Sequence, residues 1–519
     1  MIDPKKPSDR FFMFLPGFLS WAMILMPLWL GYLYPKAATF ILTFIAIYWL
    51  YMAVTHAYGL LKGYKTFQEA IKTKWIKKVE KLDFEKLPNK KTLPDSYEGL
   101  KHILLIPTYK ETIEILEPTF KGIMNQTVGR DKIIVIVGTE EAGEEIVTKA
   151  LDEIEEKYGD KLPRIMQFIH PKGLPHEIVG VASPNRTWAA KHGIEQLKKE
   201  GIKVKNCIFT TFDSDATLHP EFLACVTYNY LTDEKRYNRF YETAVHLFSN
   251  NIWEVPLLAR IEAVNLTLGL LSSWTTQSRL SETFACYSVA LDTLIAADYW
   301  DVRFIDDTLF YWRAFEVRKG DFSAKYFHIP IYSDATGGAN YVLAHKNLFK
   351  QLVRWGWGSV STAIAFKMFF TKKLENLTTD QKLVWLYLKI ERHLLVRTSV
   401  FLITFGFTIL TFVNTNFRLQ AATYGLPKII SIFLTAGVFM FIPLTYVKQK
   451  LYPVPKTFPK WRKYTSLLEA PFVMINMLTY GLIPWLYAET MMMFGYLPKV
   501  THYTEKTREP KKHKVEVPA

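Results

Sequence analysis

Cys207-Ile-Phe-Thr-Thr-Phe-Asp-Ser-Asp215 (CIFTTFDSD) is a short apolar run that stops on two carboxylates two positions apart. A run of that length, rich in β-branched and aromatic residues, predicts a strand buried on both faces. Three runs of the same kind come before it: His102–Pro107 (HILLIP), Lys132–Val137 (KIIVIV) and Ile165–Ile169. Helix-like stretches separate them, one beginning at Thr112, then Glu141–Lys157 and Trp188–Glu200. Short strands alternating with helices predict an α/β, Rossmann-like domain built on a mostly parallel sheet. Ligands of such sheets bind beyond the carboxyl ends of the strands, so the polar residues after each apolar run are the candidates.

Those edges are Thr108-Tyr109-Lys110-Glu111, Gly138-Thr139-Glu140-Glu141 and Asp213-Ser214-Asp215. Asp213 and Asp215 can converge on one hard cation, Mg²⁺ or Mn²⁺, which combines one or two carboxylates with substrate phosphates. A second acidic pair, Asp306-Asp307, lies in the apolar setting RFIDDTLFYW, where one carboxyl suits a general base and the plain alternative is a helix N-cap. Gln351-Leu-Val-Arg354-Trp355 puts an arginine fork suited to a diphosphate beside an indole suited to a sugar ring. With Trp357 and Phe366 following, the same stretch also fits a membrane-proximal amphipathic helix.

Composition sets the surroundings of these edges. Of 519 residues 49% are hydrophobic and 15% aromatic while 22% are charged, and the charges concentrate between apolar runs at the two ends. The net charge of +15 arises largely beside those runs, in Lys62–Lys91 and Lys448–Lys463, which points to a lipid surface and away from nucleic acid. Cys207, Cys225 and Cys286 show no CxxC spacing, which excludes a disulfide framework or zinc site and suits a domain in a reducing cytosol.

Phe11–Tyr34 and Ala37–Leu61 are each long enough to cross a bilayer, and Pro35-Lys36 between them predicts a helical hairpin, not a cleaved signal peptide. Thr398–Phe417, Ile429–Val447 and Ala470–Ala488 are three further candidates, the last bent by Pro484, and His56 is the one residue inside the five that could carry a positive or negative charge near neutral pH. Basic flanks place the N-terminus and the central domain in the cytoplasm, although five crossings would put the basic tail outside. Lys65–Lys81 and Lys382–Leu395 interleave lysines with aromatic and aliphatic residues, so each is either an interfacial helix or one packed on the domain. The resulting partition is a hairpin over 1–62, a basic linker over 63–99, the enzyme domain over 100–358, interfacial helices over 359–396, a membrane region over 397–498 and a basic tail over 499–519.

Four ordered motifs, PTYKE at 107–111, DSD at 213–215, IDD at 305–307 and QLVRW at 351–355, resemble the processive branch of glycosyltransferase family 2. That group includes hyaluronan, cellulose and chitin synthases, with ceramide glucosyltransferases related. The resemblance implies a GT-A fold and an inverting hexosyl transfer from a nucleotide sugar, a UDP-sugar by preference. Carried over by position, it sets Thr108, Tyr109, Glu111, Glu140, Arg186 and Asp213 at the nucleotide, with Asp215 and Asp213 at the metal. Asp307, with Asp306, would act as base, and Gln351, Arg354, Trp355, Cys286 and Tyr287 would line the pyrophosphate and acceptor end. Tyr287 stands where relatives often carry glycine, which would narrow the acceptor channel. Two departures loosen the subgroup: Glu140 in place of an aspartate after the second strand, and Asp306 in place of glutamate. The acceptor is then a growing glycan or a membrane lipid. A transporter or non-catalytic scaffold would explain the apolar runs but not four such motifs on one domain.

Overall fold

The computed structural model describes all residues except 1, 4, 277–279, 305–306, 373, 416–427, 429–430, 433–434, 436–437, 460 and 502–519. Ten strands are present among them: β1 (Lys101–Thr108), β2 (Ile133–Glu140), β3 (Arg164–His170), β4 (Cys207–Thr211), β5 (Thr217–Leu218), β6 (Arg239–Thr243), β7 (His246–Leu247), β8 (Tyr287–Ala290), β9 (Ser323–Phe327) and β10 (Ile331–Tyr332). A seven-stranded sheet runs β3-β2-β1-β4-β8-β6-β9, parallel from β3 to β4, antiparallel where β8 meets β4 and β6, and parallel again from β6 to β9. The small sheet β5-β10-β7 lies beside it. The four central apolar runs are therefore the four parallel strands, as an α/β pattern predicts.

The period of two along each strand divides the core. Ile103, Leu105, Ile134, Ile136 and Phe209 join one apolar cluster, while Leu104, Ile106, Val135, Val137 and Ile208 join another on the opposite face. Burial of each such side chain contributes about 1.5–3 kcal/mol. Helices cover both faces: α4 (Trp75–Glu80), α5 (Ile113–Met124), α6 (Glu144–Tyr158), α7 (Ala182–Lys199), α8 (Phe222–Leu231), α9 (Leu257–Thr276), α10 (Leu291–Ala296), α11 (Thr308–Val317), α12 (Tyr341–Gly356) and α13 (Val360–Thr371). Before them come α1 (Pro7–Ile24), α2 (Met26–Leu33) and α3 (Pro35–Lys72). After them come α14 (Thr379–Val413), α15 (Phe441–Leu451) and α16 (Ser466–Met493).

Among the described residues, three helices, α3, α14 and α16, are long and apolar enough to cross a membrane, and a fourth span arises if α1 and α2 count as one bent by 63°. Five such runs were expected. The first is broken at Leu25, because Pro27 in the next turn has no N–H to continue the ladder and its ring crowds the preceding carbonyls. Six residues of the Ile429–Val447 run lie outside the described residues, and α15 carries its end.

The helices run across the expected partition. Residues 62 and 63 both lie inside the 38-residue α3, so hairpin and linker share one helix. Of the two candidate interfacial stretches, α4 packs on the domain: the Ile76 N–H donates to Glu221 Oε2 at 3.0 Å, and Trp75 meets Tyr228 edge-on at 5.6 Å. Trp385 in α14 is likewise buried, against Tyr311, Trp312 and Phe315 of α11. Val360, Ile364, Phe366 and Phe369 of α13 pack in the same core cluster as Phe209 of β4 and Phe310 of α11, so the packing is continuous across residue 358.

The long helices are not free of charge inside. Arg397 of α14 and Glu489 of α16 pair at 3.3 Å, Ser20 of α1 donates to Glu489 at 2.6 Å, and the Arg397 guanidinium lies 3.5 Å from the centre of the Trp485 ring. Both charged residues sit one position outside the apolar runs read from sequence, which is why those runs looked uncharged.

Candidate active site

The carboxyl ends of β1, β2 and β4 are tied into one rim. Thr108 Oγ1 donates to the Gly138 carbonyl at 3.0 Å, and Asn185 Nδ2 donates to the carbonyls of Thr108 at 3.0 Å and Gly138 at 2.9 Å. A Cβ on Gly138 would stand 2.3 Å from Asn185 Oδ1, so this approach of α7 to the sheet requires glycine. Glu111 is buried and accepts from the Tyr109 N–H at 2.5 Å and Ser214 Oγ at 2.9 Å. Glu111 thereby clamps the end of β1 to the Asp213-Ser214-Asp215 loop.

Arg186 is the centre of the site. It is 1% exposed, in the first turns of α7, where the strand-to-helix connection brings it under the β4 edge. Nη2 donates to Asp213 Oδ1 at 2.9 Å and Nη1 donates to Asp307 Oδ1, so one guanidinium joins two acidic motifs 94 residues apart in sequence. Burial works against its charge, but the carboxylates of Asp307 and Asp213 outweigh that and hold its pKa above the usual arginine value. The Asp307 carbonyl in turn accepts from Thr283 Oγ1 at 2.9 Å, and Ser183 Oγ donates to the Phe304 carbonyl at 3.1 Å. Asp307 occupies the N-cap position of α11 with no side-chain capping bond, which leaves its carboxylate on Arg186. Asp306 lies outside the described residues.

Asp215 is buried, and its Oδ2 accepts from the Asp334 N–H at 3.3 Å. Asn250 Nδ2 bridges the Asp215 carbonyl at 3.4 Å and Asp334 Oδ1 at 2.9 Å. Asp334 and Asn250, on the β10 and β7 ends, were not singled out by sequence; neither sits in a motif, and only the small sheet brings them here. No group of three or more His, Cys, Asp or Glu side chains able to hold a metal occurs among the described residues. The donor set nonetheless suits Mg²⁺ or Mn²⁺ as a shared ion. Asp213 is 45% exposed into the cavity, and these cations are commonly held by one or two carboxylates completed by phosphate oxygens and water.

One cavity of about 3250 Å³ is lined by Thr108, Tyr109, Glu111, Glu140, Arg186, Asp213, Asp215, Asp307, Cys286, Gln351, Arg354 and Trp355. Asp306 apart, the sequence-derived candidates thus line one cavity, with one exception. Tyr287 is buried in the core, stacked on Phe310 at 5.4 Å and accepting from Trp300 Nε1 at 2.8 Å, so it does not narrow an acceptor channel. On β8 it points away from the face that Cys286 presents, as strand alternation requires. Burial pushes the Cys286 thiol far above its usual pKa, which makes it a wall and not a nucleophile.

Gln351, Arg354 and Trp355 share one face of α12 by their i, i+3, i+4 spacing, and Thr336 Oγ1 donates to Gln351 Oε1. At the end of that helix a Cβ on Gly356 would stand 3.0 Å from the Ala488 Cβ of α16, so the motif is mounted against an apolar helix. Trp253, Tyr452, Phe458 and Trp485 carry the cavity wall onward toward α15 and α16.

At the opposite end, His170 is buried between two carboxylates, with Nδ1 2.9 Å from Glu140 Oε2 and Nε2 2.9 Å from Glu177 Oε2. Burial opposes the imidazolium, yet Glu140 and Glu177 together hold its pKa above the ordinary value. Sequence pointed to Glu140 but not to His170 or Glu177, since β3 ends without a motif.

No family model matches the chain, and no curated protein matches it. Among solved structures it is similar to the mannosyltransferase PcManGT from Pyrobaculum calidifontis in complex with GDP-Man and Mn²⁺, at 13% identity and a TM-score of 0.37, covering 84% of this chain and 97% of that one. It is also similar to S. aureus TarS 1–349 in complex with UDP-GlcNAc, at 12% identity and a TM-score of 0.34, covering 76% and 92% respectively.

Proposed function

We propose that the chain is a membrane-bound, metal-dependent, inverting glycosyltransferase of the GT-A kind that moves a hexosyl unit from a nucleotide sugar to a glycan acceptor. The observation that carries this reading is Arg186, which joins Asp213 of the donor-side loop to Asp307 within the cavity that also holds Gln351, Arg354 and Trp355. Family 2, and within it the processive branch, is the assignment suggested by the four motifs. The basic flanks of the apolar helices support a domain on the cytoplasmic side.

In this mechanism the nucleotide lies along the β1–β4 rim and its diphosphate faces Asp213, Asp215 and Arg354. Asp213 and Asp215 would hold the divalent cation, whose chemistry is to neutralise the charge of the departing diphosphate. Arg186 fixes the Asp307 carboxylate in place until an acceptor hydroxyl reaches it. Asp307 then takes the hydroxyl proton as the acceptor oxygen bonds to the anomeric carbon. The bond to the diphosphate oxygen breaks with its electron pair on the leaving group, and a single displacement inverts the anomeric centre. Trp355 offers its ring face to the acceptor sugar.

A second reading, transfer of one sugar to a membrane lipid, is favoured by the continuation of the cavity wall onto Trp485 of α16. Incubating the full chain in membranes with labelled UDP- and GDP-sugars separates the two, a polymer ladder against one labelled lipid. Asp307→Asn is expected to abolish transfer with donor binding within about threefold of wild type. Turnover retained by that variant would refute the role of Asp307.

A further inference from the structure

Glu242 is the most deeply buried carboxyl near the site, and no motif marks it. It lies on β6 directly opposite Tyr287 of β8, is 0% exposed, and among the described residues pairs with no basic side chain. Its Oε2 accepts from the Phe284 N–H at 3.2 Å, and the Cys286 amide acts on the same carboxyl. Phe284, Ala285 and Cys286 are cavity wall, and Thr283 just before them holds the Asp307 backbone. Glu242 stands behind that wall and reaches its backbone where the wall meets the general base.

A carboxyl in a strand centre, costly to bury, is hard to explain as packing, since a leucine would fill the space without polar atoms. Its Oε2 is bonded to the main-chain amide of Phe284, in an irregular segment, while Oε1 is buried with no hydrogen-bond partner among the described residues, so the carboxyl is aimed at the backbone of the wall. Resting on the transferase reading above, we infer that Glu242 is a positioning residue, holding Phe284–Cys286 by its side chain so that an acceptor hydroxyl meets Asp307 at the right place. Burial pushes its pKa well above the usual carboxylate range, the two amides pull it back, and the nearby charge of Asp307 adds to the rise. The groups facing it are Asp307, Cys286, Tyr287 and Tyr326, none of them cationic. Glu242 therefore does its work as an uncharged acid, which leaves Asp307 as the carboxylate of that corner.

The test uses the full chain in lipid nanodiscs, with Glu242→Leu and Glu242→Gln beside wild type. Glu242→Leu is expected to raise the acceptor KM at least tenfold and lower kcat at least tenfold, with donor Kd changed less than twofold. Glu242→Gln, which keeps the acceptor oxygen without a charge, is expected to restore both to within about threefold and to leave the acid limb of the pH–rate profile in place. A Glu242→Leu protein with wild-type acceptor kinetics would overturn the inference. So would an acid limb that moves to lower pH in Glu242→Gln, because that shift reports removal of a negative charge beside Asp307. If Glu242→Leu does not fold, the Gln profile alone decides. Absence of turnover by the wild type with every donor refutes the transferase reading itself, which is a separate outcome.

Discussion

Replacing Arg186 with Met removes a charge that two acidic motifs share while keeping much of the side-chain volume. At an effective dielectric near 20, two unit charges about 4 Å apart attract by about 4 kcal/mol. Asp213 is 45% exposed and Asp307 27% exposed, so water recovers part of that when the guanidinium is gone. A net loss of about 2.7–4 kcal/mol of transition-state stabilisation follows, which is about 10²–10³ in kcat. Asp307 then loses the guanidinium that favours its charged form and holds its proton to higher pH, so the acid limb of the pH–rate profile moves upward. Arg186→Lys keeps the charge but lacks the planar fork that reaches both partners, and it is expected to recover only part of the rate. The assay is release of nucleoside diphosphate by the reconstituted full chain, followed from pH 5 to 9 on the measured scale of about four units. A Met variant within threefold of wild-type kcat, or one whose whole loss is in donor KM with the pH profile unmoved, would refute the claim that Arg186 organises the base.

Other consequences are open to direct measurement. Asp215→Asn is expected to lower kcat by about 10²–10³ and to raise the Mn²⁺ concentration for half-activation, and EDTA should silence wild type until the ion is restored. His170→Gln tests the doubly held imidazole: with the folded pKa raised, its stabilisation is fully present below the ordinary value of 6.5 and is lost as pH rises through the folded value. The melting-temperature gap to wild type should therefore be widest at pH 6 and shrink by pH 9, and a gap that grows with pH contradicts the pairing. Arg397→Met strands Glu489 between α1, α14 and α16, for which about 3–5 kcal/mol of destabilisation is expected, and the double variant Arg397→Met/Glu489→Gln should recover most of it in detergent melts.

Strand existence and order of motifs were legible because they rest on short-range rules. HILLIP, KIIVIV and CIFTTF are apolar enough to be buried on both faces wherever they pair, and each became a parallel strand. That PTYKE and DSD line one cavity follows from the same logic, since strand ends of a parallel sheet share an edge, whereas Asp307 at the start of α11 and QLVRW on α12 reach it only through the tertiary fold. What needed the tertiary structure was local. Tyr287 was placed by motif alignment, but the alternation of β8 turns it into the core. Trp75 and Trp385 carry the amphipathic pattern of an interfacial helix, yet that pattern is equally that of a helix packed on a domain, and only Tyr228 and Trp312 decide between them. Membrane runs ended one residue short of Arg397 and Glu489, because a charge reads as the end of an apolar run until its partner is visible.

The sequence by itself therefore determined the α/β class, the sheet edge to inspect and the candidates Asp213, Asp215, Asp307 and Arg354, because these follow from periodicity and from the chemistry of side chains. Tertiary structure decided that Arg186 joins Asp213 to Asp307, that Glu111 clamps two loops, that His170, Asn185 and Asp334 line the cavity, and that Glu242 lies behind its wall. The physical reason is that a buried charge or carboxyl has no meaning without the partner that compensates it, and those partners lie from about thirty to more than a hundred residues away.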